Sequence, residues 1–172
     1  MTYDGKPVTA VFYAISSGKT ERAADVWGSD VPYLQSVDSP VDKNAPGFES
    51  TVSMSVQEFK NKMSAARPEA AFSANPQEWY QNEVRSEGGG VTHAVIGGVE
   101  VKGSDIRTIF GLRSTNFTLQ LSQDQAVFQV KGYGHGVGMS QWGAKFYAEE
   151  GKNYKDILKL YYQGVSIEKL NP

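Results

Sequence analysis

The stretch NFTLQLSQDQAVFQVKGYGHGVGMSQWGA, Asn116 to Ala144, joins three local patterns. On either side of SQDQ, apolar and polar residues alternate, as the two arms of a hairpin with one buried face should. Beyond Lys131 a glycine occupies every second position from Gly132 to Gly138. Read as a strand, this run is bare on one face and carries Tyr133, His135 and Val137 on the other. Trp142, Phe146 and Tyr147 then recur at helical spacing in a segment that closes at Gly151.

Two explanations fit the glycine run. A strand without side chains on one face admits a second backbone or a flat ligand such as a sugar ring, while Tyr133, His135, Ser140 and Gln141 supply stacking and hydrogen bonds. Alternatively, the glycines allow tight packing at a corner and His135 is a hydrogen-bonded core residue. If His135 lines a groove, ligand binding should respond to pH near neutrality. A phosphate-binding loop is excluded by spacing, because neither G-x-G-x-x-G nor G-x-x-x-x-G-K-[ST] occurs here. A serine nucleophile elbow is excluded too, since Gly138-Met139-Ser140-Gln141-Trp142 lacks the second glycine of G-x-S-x-G.

Elsewhere the chain is punctuated by hairpins and short helices. Asp4-Gly5 predicts a tight turn, followed by a buried strand over VTAVFYAI, Val8 to Ile15, and a small-residue turn SSGKTE leading into a short helix. Asp25 to Phe48 holds three of the seven prolines and reads as an ordered loop pinned by Trp27, Tyr33 and Leu34. Trp27 and Tyr33 are candidate sugar-stacking platforms or, equally, anchors of that loop. Ser55 and Glu58 form a capping box ahead of a helix over Val56 to Ala66. A turn starts at Asn75-Pro76. WYQNEVRS, THAVIGG and VEVKG predict short strands, and GSDIRTIFG a helix capped by Ser104. Asn153 and Asp156 cap a last helix with Tyr154, Ile157, Leu158 and Tyr161 on its apolar stripe, before a final strand VSIEKL. The irregular alternation predicts an α+β fold: a mixed, largely antiparallel sheet with hairpins and several short helices. Residues 1–172 are expected to form one domain whose first strand has lost its start.

Seventeen basic and 19 acidic residues leave a net charge of −2, which excludes an electrostatic footprint for nucleic acid. With no cysteine and two isolated histidines, no metal site or other cofactor is predicted.

Five blocks, in order, resemble one family: YDGKPVTAVFYAISSGKTE, DVWGSDVPYLQSVDSP, IFGLRSTNF, GYGHGVGMSQWGAKFYAEEG and YKDILKLYYQGVSI. They resemble the C-terminal part of stage II sporulation protein D and its relatives, the amidase enhancers. The resemblance implies a peptidoglycan lytic transglycosylase of sporulation. Such enzymes cleave between N-acetylmuramic acid and N-acetylglucosamine and leave a 1,6-anhydro end during engulfment of the forespore. It further implies an extracytoplasmic protein held at the septum by an N-terminal membrane anchor, working on glycan strands beside stage II sporulation protein P. The alternative within the family is a non-enzymatic amidase enhancer or cell-wall-binding protein.

The family's catalytic glutamate, in a segment resembling A-S-E-M-P, has no counterpart between Met1 and Pro172, so no catalytic residue is expected in this chain. Its metal-binding cysteines have none either. Ser17, Thr20, Tyr133, His135, Ser140 and Gln141 are the expected substrate-binding residues. Glu21 reads as a solvated carboxylate in the first turn of a helix.

Overall fold

A computed structural model of the chain describes residues 1–168. In chain order the elements are β1 (Thr2–Tyr3), β2 (Lys6–Pro7), β3 (Phe12–Tyr13), α1 (Ala23–Trp27), β4 (Glu49–Ser55), α2 (Val56–Ala66), β5 (Tyr80–Arg85), β6 (Val91–Ile96), β7 (Val99–Lys102), α3 (Gly103–Phe110), β8 (Phe117–Leu121), β9 (Gln125–Lys131), β10 (Met139–Ser140), α4 (Gln141–Glu149) and α5 (Tyr154–Tyr161). Two antiparallel three-stranded sheets, ordered β4-β9-β8 and β5-β6-β7, dominate, and β3 pairs β10 in parallel. The fold is α+β, as the alternation of hairpins and helices predicts.

Two apolar clusters organise these elements. In the first, α2 and α3 pack among the two sheets, and the buried Phe59 ring stacks on Phe110 at 4.6 Å between centroids, with Phe128 also in contact. α2 lies where the capping box puts it: the Ser55 hydroxyl accepts from the Glu58 amide, and Phe59 and Met63 are fully buried one turn apart. In the second cluster, Ala23, Leu34, Val137, Tyr147, Ile157 and Tyr161 gather α1, α4 and α5. The Asp4-Gly5 hairpin forms with both residues at positive φ, as a two-residue turn between right-twisted strands requires.

Several expectations are corrected. Val8 to Ile15 is no continuous buried strand: the Val11 amide bonds back to the Thr9 carbonyl, which turns the chain, and pairing is confined to Phe12–Tyr13 on β10 and a single bridge from Ile15 to Tyr133. Ser104 does not cap α3. Strand β7 runs directly into that helix, so Lys102 takes the cap position without a side-chain bond. Trp27 does not pin the proline-rich loop, since its side chain is exposed; Leu34 is buried and does. Tyr154 leaves the apolar stripe of α5 and faces solvent, whereas Ile157 and Tyr161 are buried. On α4 the deeply buried positions are Gly143 and Tyr147, while Trp142 and Phe146 are half-buried under Lys145. Of the expected final strand, Lys169 and Leu170 lie outside the described residues, and Ser166 makes a single antiparallel bridge to Thr2.

The packing fixes a contrast in stability. Phe59→Ala should cost about 3–5 kcal/mol by the cavity it leaves, and Tyr154→Ala about 0.5 kcal/mol or less. Chemical denaturation of the two variants beside the parent chain measures both, and a similar cost for each would contradict the core assignment.

Candidate functional site

The glycine run is not an extended strand. Gly132, Gly134, Gly136 and Gly138 all have positive φ, so the chain turns at each. Tyr133, His135 and Val137 therefore do not share a face: Tyr133 is exposed, His135 half-buried and Val137 fully buried. What approaches the bare glycines is the chain's own segment Val11 to Glu21. Ile15 and Tyr133 exchange backbone bonds of 3.1 and 2.8 Å, and the Glu21 amide donates to the Gly136 carbonyl at 2.8 Å. A Cβ on Gly136 would stand 2.6 Å from Glu21 Cγ.

Glu21 is the residue whose role differs most from its expectation. Only 4% of its surface is exposed. The Ser86 hydroxyl donates to Oε2 at 2.5 Å and the Gly90 amide to Oε1 at 2.9 Å. Burial pushes this carboxyl above the usual glutamate range, the bonds from Ser86 and Gly90 oppose the shift, and the nearby Asp25 charge adds to it. The SSGKTE turn thus ends on a buried carboxyl and not on a solvated one. It is closed by the Ser86–Gly90 turn, which also meets it through Lys19 and Glu87 at 2.6 Å and through the Ser17 hydroxyl on the Gly88 carbonyl. Glycines leave the room: a Cβ at Gly88 or Gly90 would come within 2.7 Å of the Glu21 carboxyl.

Glu21 borders two cavities. The larger, about 380 Å³, is lined by Glu21 with Asp25, Ser86, Thr92, Lys102, Ser104 and Thr115 among others, a set rich in hydroxyls and carrying both signs of charge. The smaller, about 240 Å³, has Ser17, Asn116, Lys131 and His135 on its wall. Val137 N–H donates to His135 Nδ1, which leaves Nε2–H to donate to the Phe12 carbonyl at 3.1 Å. Desolvation holds the pKa of His135 below the ordinary histidine value, against the pull of the Phe12 carbonyl, so the ring is neutral at physiological pH.

The six expected binding residues separate into three groups. Ser17 and His135 line the smaller cavity. Tyr133 is exposed under the Arg113 guanidinium, and Gln141 is exposed at the start of α4, on the wall of neither cavity. Thr20 and Ser140 are fully buried and are corrected as surface groups. Thr20 Oγ1 accepts from the Val37 amide at 2.9 Å, tying the SSGKTE turn to the proline-rich loop. Ser140 caps α4 by accepting from the Gly143 amide and donates to the buried Asp42 carboxylate, which also takes bonds from Ser39 Oγ and the Ser16 amide. Burial raises the Asp42 carboxyl above its usual range, and these donors oppose the rise. Gly143 has no side chain because a Cβ there would strike Ser39 and the Asp42 carboxylate.

Glu21 and Asp42 both escape a reading by periodicity, since neither belongs to a regular element with an apolar stripe. The available signal was the pair of glycine-rich turns, EGGG and GYGHG, far apart in sequence and both bare where Glu21 fits. Among the described residues, no group of three or more His, Asp or Glu side chains comes together that could hold a metal ion.

No family model matches the chain. It is 43% identical over 169 residues to stage II sporulation protein D of Bacillus amyloliquefaciens, an alignment covering 98% of this chain and 47% of that protein. It is 39% identical over 171 residues to stage II sporulation protein D of Bacillus subtilis, covering 98% and 48%. A more distant relative, the amidase enhancer of Bacillus subtilis, is 27% identical over 218 residues, covering 97% and 30%. The resemblance carried by the five sequence blocks thus extends along the chain, which spans just under half the length of its two stage II sporulation protein D relatives.

Two outcomes test the buried carboxyls. The unfolded chain ionises Glu21 near 4.5 and the folded chain does so at higher pH, so stability owed to the neutral form is fully present below 4.5 and is lost as pH rises through the folded value. Relative to Glu21→Gln, the parent's thermal midpoint should fall between pH 4.5 and neutrality; a difference that is flat or of opposite slope contradicts this. Ser140→Ala removes a helix cap and a donor to buried Asp42, and equilibrium unfolding should read a loss of about 2–4 kcal/mol.

Proposed function

We propose that this chain, a relative of stage II sporulation protein D across 98% of its length, is the glycan-binding part of a peptidoglycan lytic transglycosylase of sporulation. Its substrate is then the glycan strand of septal peptidoglycan. It acts outside the cytoplasm, held at the septum by an anchor outside the described residues, among which no helix is long and apolar enough to cross a membrane. The observation that carries this proposal is the convergence of three segments far apart in sequence, SSGKTE, the Ser86–Gly90 turn and the glycine loop, at Glu21 beside a hydroxyl-lined cleft. Paired hydroxyl and charged groups suit a polyol better than an anion or an apolar ligand.

A lytic transglycosylase works with one carboxyl. It protonates the glycosidic oxygen as the C1–O bond breaks, then accepts the proton of the muramyl C6 hydroxyl as that oxygen closes on C1. By the family resemblance this acid lies in a segment upstream of the residues described here. Glu21 has both oxygens engaged by Ser86 and Gly90 and serves as a positioning residue, holding the turn and the glycine loop together at the edge of the cleft.

The similarity to an amidase enhancer favours one other reading, in which the same cleft binds cell wall and stimulates a partner hydrolase such as stage II sporulation protein P. Co-sedimentation with purified sacculi tests the binding role. The chain should pellet with them, and failure to do so contradicts glycan binding. A chimera carrying the upstream half of the Bacillus amyloliquefaciens relative ahead of Met1 tests the reaction. Release of 1,6-anhydro muramyl products is the expected result, whereas accelerated amidase cleavage without such products would replace the transglycosylase with the enhancer.

A further inference from the structure

Phe12 and Trp27 are among the few large apolar side chains exposed on the described surface, at 57% and 47%. Both adjoin His135. The Trp27 and His135 rings lie 5.4 Å apart between centroids, the Tyr13 ring also packs on the imidazole at 5.5 Å, and His135 Nε2 is bonded to the Phe12 carbonyl. Trp27 ends α1, which stops at Gly28 in the left-handed conformation, so the indole sits at a defined helix end. His135, fixed through both ring nitrogens, is an equally defined neighbour. An exposed aromatic face held in this way presents a preorganised platform, and little freedom remains to be lost on binding.

The platform adjoins residues of both cavities. Asp25 and Val26, the two residues before Trp27, line the larger cavity, and His135 lines the smaller. A ligand with repeating rings that fills the cleft would bring its next ring toward the indole. Resting on the glycan-binding proposal above, we infer that Trp27 is a stacking subsite for a pyranose ring of the glycan strand. The C–H groups on one face of a pyranose are weakly positive and match the negative face of an indole, while the ring hydroxyls remain free for solvent and polar neighbours. The apolar area is small for a protein partner, whose interface takes roughly 20–30 residues a side. No cation stacks on Trp27 among the described residues, as would suit a neutral sugar face.

Chitotetraose, a soluble oligomer of N-acetylglucosamine, is the probe. Trp27→Ala should weaken its binding by about tenfold, the scale of one lost aromatic contact, and Trp27→Tyr should retain most of it. In the parent chain, chitotetraose should protect Trp27 from oxidation by N-bromosuccinimide, mapped by peptide mass spectrometry; the buried Trp79 is an internal reference. A parent that binds chitotetraose with Trp27 unprotected, or a folded Trp27→Ala that binds it as well as the parent, overturns the stacking subsite and leaves the glycan proposal standing. A parent that binds neither chitotetraose nor sacculi overturns both.

Discussion

The hydrogen bonds that Ser86 and Gly90 donate to the Glu21 carboxyl join the parts of this fold that matter for its chemistry. Ser86 and Gly90 belong to the turn between β5 and β6, on the side of the first apolar cluster, whereas Glu21 precedes α1 in the second. The same residue donates its backbone amide to Gly136. Three stretches far apart in sequence thus meet at one residue. A buried carboxyl is costly unless its oxygens are engaged, and here both are. The cleft lies beside that junction, so its walls are only as well placed as Glu21 is.

A second buried carboxyl performs the analogous task within the second cluster's side of the fold. Asp42 gathers Ser16, Ser39 and Ser140, and through Ser39 it reaches the Tyr161 hydroxyl on α5. The Ser140 hydroxyl both caps α4 and feeds this network, so the start of that helix and the SSGKTE turn are registered against each other. Gly143 lets α4 approach closely enough for the arrangement to close. The motif residues that looked like surface contacts are in large part the means by which the surface is held: Thr20 and Ser140 lie inside, and Ser17 and His135 at the cavity wall.

Local patterns made some of this legible. The Ser55–Glu58 capping box and the Phe59–Met63 spacing locate α2 to the residue, and alternation on either side of SQDQ locates the β8–β9 hairpin. These elements are determined by neighbours in sequence and by one buried face. Val8 to Ile15 misleads because its apolar residues are distributed between turn, exposed and buried positions by a single reversal at Thr9 to Val11. The glycine run misleads because alternate glycines look the same whether they line a strand or supply repeated positive φ. Glu21 escapes any local pattern because its environment is made by glycines 67 to 69 and 115 residues away, and only the two distant glycine-rich turns signal it. The family resemblance located the segments that matter, and the structure assigned them different tasks.

A crystal structure of this chain with chitotetraose would show whether the junction at Glu21 forms the wall of a glycan cleft. A sugar ring is expected in the cleft lined by Asp25, Thr92 and Lys102, with the Glu21 carboxyl still bonded to Ser86 and Gly90. A sugar bound on a different face, or a Glu21 carboxyl turned to solvent away from both partners, would contradict it.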